Sequence, residues 1–147
     1  VDCHDDSQGE ANMALVTWSD KLSVGIKAID DQHTVLFNTI NELHAAMLKG
    51  QARQIVGKLL GDLVIYTRNH FSDEEKMMAD NGYPGLDEHI KVHRALTKKV
   101  EEYSARYEKG DLSLSLDLSE FLSSWLTAHI QGVDRSYGPY MNERGVR

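Results

Sequence analysis

The chain has 147 residues, with 23 acidic against 16 basic side chains and a formal net charge of −7. That balance speaks against nucleic acid or an anionic membrane as principal partner, since both select basic surfaces. The length suits one domain that buries a core without disulfides, the lone Cys3 can form no internal disulfide and so suits a reducing, cytoplasmic setting, and no apolar run approaches the roughly 20 residues of a membrane-spanning helix.

Residues 1–12 are polar and acidic with no apolar period, and read as an extension or linker end before a domain over 13–147. Val1 and this polar leader fit a domain taken from a longer protein, whereas Met13 would start a stand-alone one. From Met13 to Ile29 the apolar points Trp18, Leu22, Val24, Ile26 and Ile29 are interrupted by Gly25, which predicts an ordered arm packed on the body. Asp30 or Asp31 is the expected cap of a first helix over 31–49, with the stripe Ile29, His33, Leu36, Phe37, Ile40, Leu43 and Met47. Lys49-Gly50 ends it, a cation followed by a residue tolerant of the left-handed conformation.

A second helix over 52–81 carries Ile55, Leu59, Leu63, Tyr66, His70, Glu74, Met77 and Met78 on one side. Gly57 and Gly61 weaken it by up to about 1 kcal/mol each, so close helix contact is expected there. Asn81-Gly82-Tyr83-Pro84-Gly85 is a turn. A third helix over 86–109 shows Leu86, His89, Ile90, His93, Leu96, Val100, Tyr103 and Tyr107, and Lys109-Gly110 closes it. Asp111 or Ser113 is the expected cap of a fourth, with Leu114, Leu118, Phe121, Leu122, Trp125 and His129 inward. Four helices on short connections predict an all-α, up-down-up-down bundle with an N-terminal arm and a short C-terminal helix.

The bundle tests where the polar residues meet. His33 lies 17 residues before Gly50 and His70 lies 20 after it; His93 lies 17 before Gly110 and His129 lies 19 after it. Across Tyr83, Glu74 and His93 are 9 before and 10 after. At about 1.5 Å per residue these offsets bring the side chains to one depth. His70 and Glu74, and likewise His89 and His93, are four apart and share a helix face. His129 and Asp134 are five apart, about 140° off a common face, so the helix must break or widen between them, which Gly132 makes easy. Five imidazoles and two carboxylates on inward stripes would leave many polar groups desolvated, unless each becomes a metal ligand. Seven ligands exceed one zinc site and suit two nearly octahedral ions, with iron or another mid-row metal favoured by the donor types. His44, three turns beyond His33, is expected to be structural; Asp73 and Glu75 to be solvated; Met77 and Met78 to be core; Tyr137 and Tyr140 to pack, with a hydrogen bond to Asp134 as their other role.

The ordered set His33, His70-x-x-x-Glu74, His89-x-x-x-His93, His129-x-x-x-x-Asp134 resembles the hemerythrin ligand pattern. Trp18, Gly25, Asp30-x-Gln32-His33 and His70-Phe71-x-x-Glu74-Glu75 resemble bacterial hemerythrin-like domains, over roughly Trp18 to Met141. The resemblance implies two iron ions with an oxo or hydroxo bridge. His89, His93 and His129 would hold one iron, His33 and His70 the other with an open position, and Glu74 and Asp134 would bridge. It implies reversible O2 binding for sensing, storage or transport rather than an enzyme, with NO or small anions as other ligands of the open iron. A fused signalling domain such as a chemoreceptor is one setting the family provides. Candidate walls of a dry O2 pocket are Trp18, Leu36, Phe37, Leu126 and Ile130. The competing reading is a di-iron oxidase, peroxidase or redox or NO sensor using the same centre.

Overall fold

The computed structural model describes residues 15–50, 53–110 and 114–147. Expectations that fall on residues 1–12, Met13, Asp111 and Ser113 lie outside them. Four long helices carry the architecture: α1 (Lys27–Leu48), α2 (Arg53–Asp80), α3 (Leu86–Glu108) and α4 (Leu114–Ala128). Each packs on two neighbours, α1 on α2 and α4, and α3 on α2 and α4, the pattern of an up-down-up-down bundle. After α4 come a π turn (His129–Val133), a 3-10 turn (Asp134–Tyr137) and a short helix α5 (Gly138–Glu143). No strand occurs among the described residues.

The helix ends follow local chemistry. Lys49 and Lys109 close α1 and α3 in the right-handed region, and Gly50 and Gly110 follow at φ 63° and 74°. One expectation is corrected. α1 starts at Lys27 with Ile26 at its N-cap and no side-chain cap, so Asp30 is already inside the first turn. Its carboxylate instead accepts from Ser23 Oγ at 2.6 Å and from the Val24 amide at 2.9 Å, tying the arm down.

The arm lies on the body as expected. It contains one 3-10 turn (Asp20–Leu22) and buries Val16, Leu22, Val24 and Ile26. Asn41 on α1 holds its start, with Oδ1 accepting from the amides of Leu15 and Val16 and Nδ2 donating to the Val16 carbonyl. Asn142 on α5 donates to the Gly25 carbonyl at 3.0 Å, so the arm also clasps the C-terminal helix.

Two apolar clusters result. The larger fills the bundle with Leu36, Phe37, Ile40, Leu43, Leu60, Leu63, Tyr103, Leu118, Leu122, Leu126 and Ile130 among others. The smaller joins Val24, Ile26, Ile29, Met78, Tyr137 and Met141. Along α1 and α2, His33 and His70 with Glu74 fall between the residues of the two clusters, and after α4 Asp134 falls between Ile130 of the larger and Tyr137 of the smaller. The polar layer is therefore sealed by apolar packing above and below. Met78 is core, as expected.

One inward assignment on α2 is corrected. Ile55 is 46% exposed and Leu60 is buried instead. Stepping back from Leu63 by fours drifts about 40° per step, which carries Ile55 out of the face and leaves the three-residue step to Leu60 inside it. Gly57 is in close contact, since a methyl there would meet Tyr107 Oη at 2.7 Å, but Gly61 faces nothing within 4 Å.

Candidate metal centre

The π turn solves the awkward spacing. The Asp134 amide donates to the carbonyls of His129 and Ile130, a five-residue step in the first case, so the backbone gains a residue and returns Asp134 to the face of His129. Both side chains are buried, at 4% and 0% exposure.

All seven predicted residues are buried and meet in one layer. Their ligand atoms form two overlapping groups: Glu74, His89, His93, His129 and Asp134, and His33, His70, Glu74 and Asp134. The carboxylates belong to both. Asp134 divides between them, with Oδ1 3.0 Å from both His89 Nε2 and His129 Nε2, and Oδ2 3.1 Å from His33 Nε2. Glu74 Oε1 lies 3.2 Å from His93 Nε2 and 3.4 Å from His70 Nε2.

These distances would permit pairing, yet the geometry is not that of hydrogen bonds. Nε2 of His33, His89, His93 and His129, Glu74 Oε1 and both oxygens of Asp134 are buried without a hydrogen-bond partner. Each orphan costs about 1–3 kcal/mol, so the set would cost on the order of 10 kcal/mol, comparable to the whole stability of a domain. Lone pairs converging on a shared cation remove that cost. The residues present thus fit two metal ions bridged by carboxylates.

The protonation states agree. Burial holds the His70 imidazole down at about 4, against the opposing charge of Glu74, so it is neutral and able to donate a lone pair near pH 7. At His93 burial also acts downward, but Glu74 and Glu75 outweigh it and the pKa is raised. The negative charge that favours a proton there equally favours a metal cation. Burial would raise Asp134, but the imidazoles of His129, His33 and His89 hold it well below the usual carboxylate range. Burial, then the charge of Glu74, pushes the Tyr137 phenol well above its ordinary value, so it remains a donor.

The roles of several supporting residues differ from the sequence expectations. Tyr137 Oη donates to Glu74 Oε2 at 2.5 Å, so its partner is Glu74 rather than Asp134. Glu75, expected to be solvated, is 30% exposed in its side chain and accepts from His93 Nδ1 at 2.7 Å. Gln32 Oε1 takes the equivalent place behind His70 Nδ1 at 2.6 Å, and Tyr66 Oη donates to the Gln32 carbonyl. Asp73 binds Gln32 rather than solvent alone. Phe71 stacks on His93 with centroids 3.8 Å apart, and Trp125 stacks on His129 at 5.7 Å. The only sequence signals for Gln32, Phe71 and Glu75 were their places in the family-like motifs. Among the expected pocket walls, Leu36, Phe37, Leu126 and Ile130 are buried in the larger core. Trp18 packs against that core, 6.4 Å from the His33 ring and 5.6 Å from Phe37. His44 stands apart, with Nδ1 3.0 Å from Ser119 Oγ.

A helical bundle that converges five imidazoles and two carboxylates into overlapping donor sets defines a protein built to hold a pair of metal ions. The chain belongs to the hemerythrin family: the family model described as the hemerythrin HHE cation binding domain matches residues 24–141. It is 41% identical over 125 residues to a bacteriohemerythrin of Stenotrophomonas maltophilia (strain R551-3), covering 85% of this chain and 80% of that protein. With a bacteriohemerythrin of Methylococcus capsulatus it shares 32% over 131 residues, covering 88% and 99%. The myohemerythrin of Riftia pachyptila is 32% identical over 120 residues, covering 82% and 88%. The crystal structure of a wild-type hemerythrin superposes with a TM-score of 0.80 at 32% identity, covering 86% of this chain and 97% of that one. The family holds a non-haem di-iron centre, and the buried cluster supplies donors for one. No helix among the described residues is long and apolar enough to cross a membrane.

Proposed function

We propose that this chain binds O2 reversibly at a non-haem di-iron centre, as a binding protein and not an enzyme. The observation that carries the proposal is the pair of overlapping donor sets that share Glu74 and Asp134, with most of their inward atoms buried and otherwise unpartnered. His89, His93 and His129 would hold one iron, and His33 and His70 the other, whose smaller protein donor set would leave room for a ligand. Glu74 and Asp134, which belong to both groups, would be shared between them. When bound, the iron pair would supply the two electrons that reversible O2 binding needs, and a hydroxo bridge the proton.

The chain's own residues set the conditions. Two ferrous ions and two carboxylates leave the site at a net charge of +2, whereas the carboxylate-rich sites of ferritin-like bundles approach neutrality with about four acidic ligands. The lower anionic charge disfavours very oxidising states and so favours reversible binding over oxidation of a substrate. Trp18, 6.4 Å from the His33 ring, with Leu36, Phe37, Leu126 and Ile130 of the larger core, would supply the apolar wall that keeps water from the site. Tyr137 holds one oxygen of Glu74, and Gln32 and Glu75 orient His70 and His93.

The functional unit is the domain over 13–147, with 1–12 as a polar leader, placed in the cytoplasm and serving O2 sensing where a signalling domain is attached. The test is iron content and visible absorption, cycled between anaerobic-reduced and air-exposed protein. About two irons per chain and an oxo-bridged ferric band that fades under vacuum are expected. An irreversible change to the ferric state would move the function to an oxidase or redox sensor. His70→Ala and His93→Ala should lose iron, while His44→Ala retains it.

A further inference from the structure

Two of the ligand imidazoles are backed by hydrogen bonds of nearly equal length and unequal charge. His93 Nδ1 meets the Glu75 carboxylate at 2.7 Å, and His70 Nδ1 meets the Gln32 amide oxygen at 2.6 Å. The orientation of that amide is determined by Asp73, whose Oδ2 accepts from Gln32 Nε2 at 3.0 Å. An ionised carboxylate only accepts, so the amide oxygen is left for His70, and His70 carries its proton on Nδ1. Both imidazoles therefore present Nε2 to the cluster, one made more basic by an anionic acceptor and the other supported by a neutral one. They belong to different donor groups.

Resting on the di-iron reading above, we propose that the unequal pair Glu75 behind His93 and Gln32 behind His70 sets the order in which the two irons change valence. A more basic imidazole stabilises the more positive metal ion. The iron held by His89, His93 and His129 is then the first to give up an electron to an external one-electron mediator and the last to regain one. The iron held by His33 and His70 remains ferrous in the intermediate, mixed-valence protein. Glu75 and Gln32 act as positioning residues, through the histidines and without touching the metal.

The number of histidines on each iron would also favour some order, and the test separates the two causes. The full chain is loaded with 57Fe and its iron counted. Its two one-electron steps are then resolved by mediated titration, with Mössbauer and EPR spectra of the mixed-valence form. In the wild type the ferrous iron should be the one with the open position, seen as uptake of NO by the mixed-valence protein. Glu75→Gln should bring the two steps together by about tenfold in equilibrium constant, about 59 mV for one electron. Gln32→Ala should move them apart. Opposite signs are not what general loosening of the site would produce. Asp62→Asn, at a surface pair with Lys58, should change neither step. Equal separation in all variants, or movement of both in one direction, would overturn the inference while leaving the di-iron site intact. Fewer than two irons in the wild type would sink the site reading and this inference with it.

Discussion

Tyr137 donates its phenol hydrogen to Glu74 Oε2 across 63 residues of sequence, and both side chains are at 0% exposure. The bond ties the 3-10 turn that begins at Asp134 to the carboxylate on α2, so the two shared carboxylates are positioned by one short stretch of chain. Removing the hydroxyl with Tyr137→Phe leaves a buried, charged oxygen without its donor. The metal-free protein should lose about 2 kcal/mol, the scale of a hydrogen bond to a charged group, in urea denaturation. An unchanged midpoint would mean that Glu74 is held by other contacts.

Gly138 sits where α5 crosses the arm, and a methyl there would be driven into the backbone carbonyl of Val24. Backbone cannot yield as a side-chain tip does. Gly138→Ala should therefore cost about 3 kcal/mol, at the upper end for overpacking, and should expose the arm to proteolysis before the bundle. Limited digestion alongside thermal melting reads both effects.

The two glycines of α2 should separate in sign. Alanine gains up to about 1 kcal/mol over glycine inside a helix. At Gly61, with open space around it, Gly61→Ala should raise stability by about that much. At Gly57 the new methyl meets Tyr107, whose hydroxyl donates to the Arg53 carbonyl, so displacing the ring offsets the gain. Equal stabilisation by both substitutions in chemical denaturation would contradict the packing at Gly57.

Acid should act on the metal-free chain through His70. Its folded-state pKa, about 4, lies below the ordinary value of 6.5, so the unfolded chain binds the proton first as pH falls. That contribution is present above about pH 6.5 and is lost as pH falls towards 4, amounting to about 3 kcal/mol. His93, raised rather than lowered, works in the opposite direction, so comparison with a variant isolates the effect. The stability difference between wild type and His70→Gln, in chelator, should shift in favour of the variant by about this amount between pH 7.5 and 4. A pH-independent difference would show that His70 is not desolvated as the structure places it.

Much of the site was legible because helix geometry converts spacing into direction. His70 with Glu74, and His89 with His93, share faces at any bundle angle, and near-equal distances from the turns bring the four segments to one depth. Even the five-residue step from His129 to Asp134 required a widened turn, and the π turn is there. Local rules erred where a competing partner lay far away in sequence. Asp30 has the chemistry of an N-cap but is engaged by Ser23 and Val24, and Ile55 has the period of a core residue but lies past the point where the stripe rotates out.

The chain by itself determined the helices, their turns at Gly50 and Gly110, and the seven polar side chains that meet inside the bundle, because these follow from period, from backbone conformation and from the cost of burying unpaired polar groups. Only the tertiary structure decided which groups stand behind the ligands. Tyr137 against Glu74, Glu75 against His93 and Gln32 against His70 each join segments 18 to 63 residues apart. No local periodicity encodes such pairs. They depend on how far each helix is rotated about its own axis when the apolar clusters close on both sides of the polar layer.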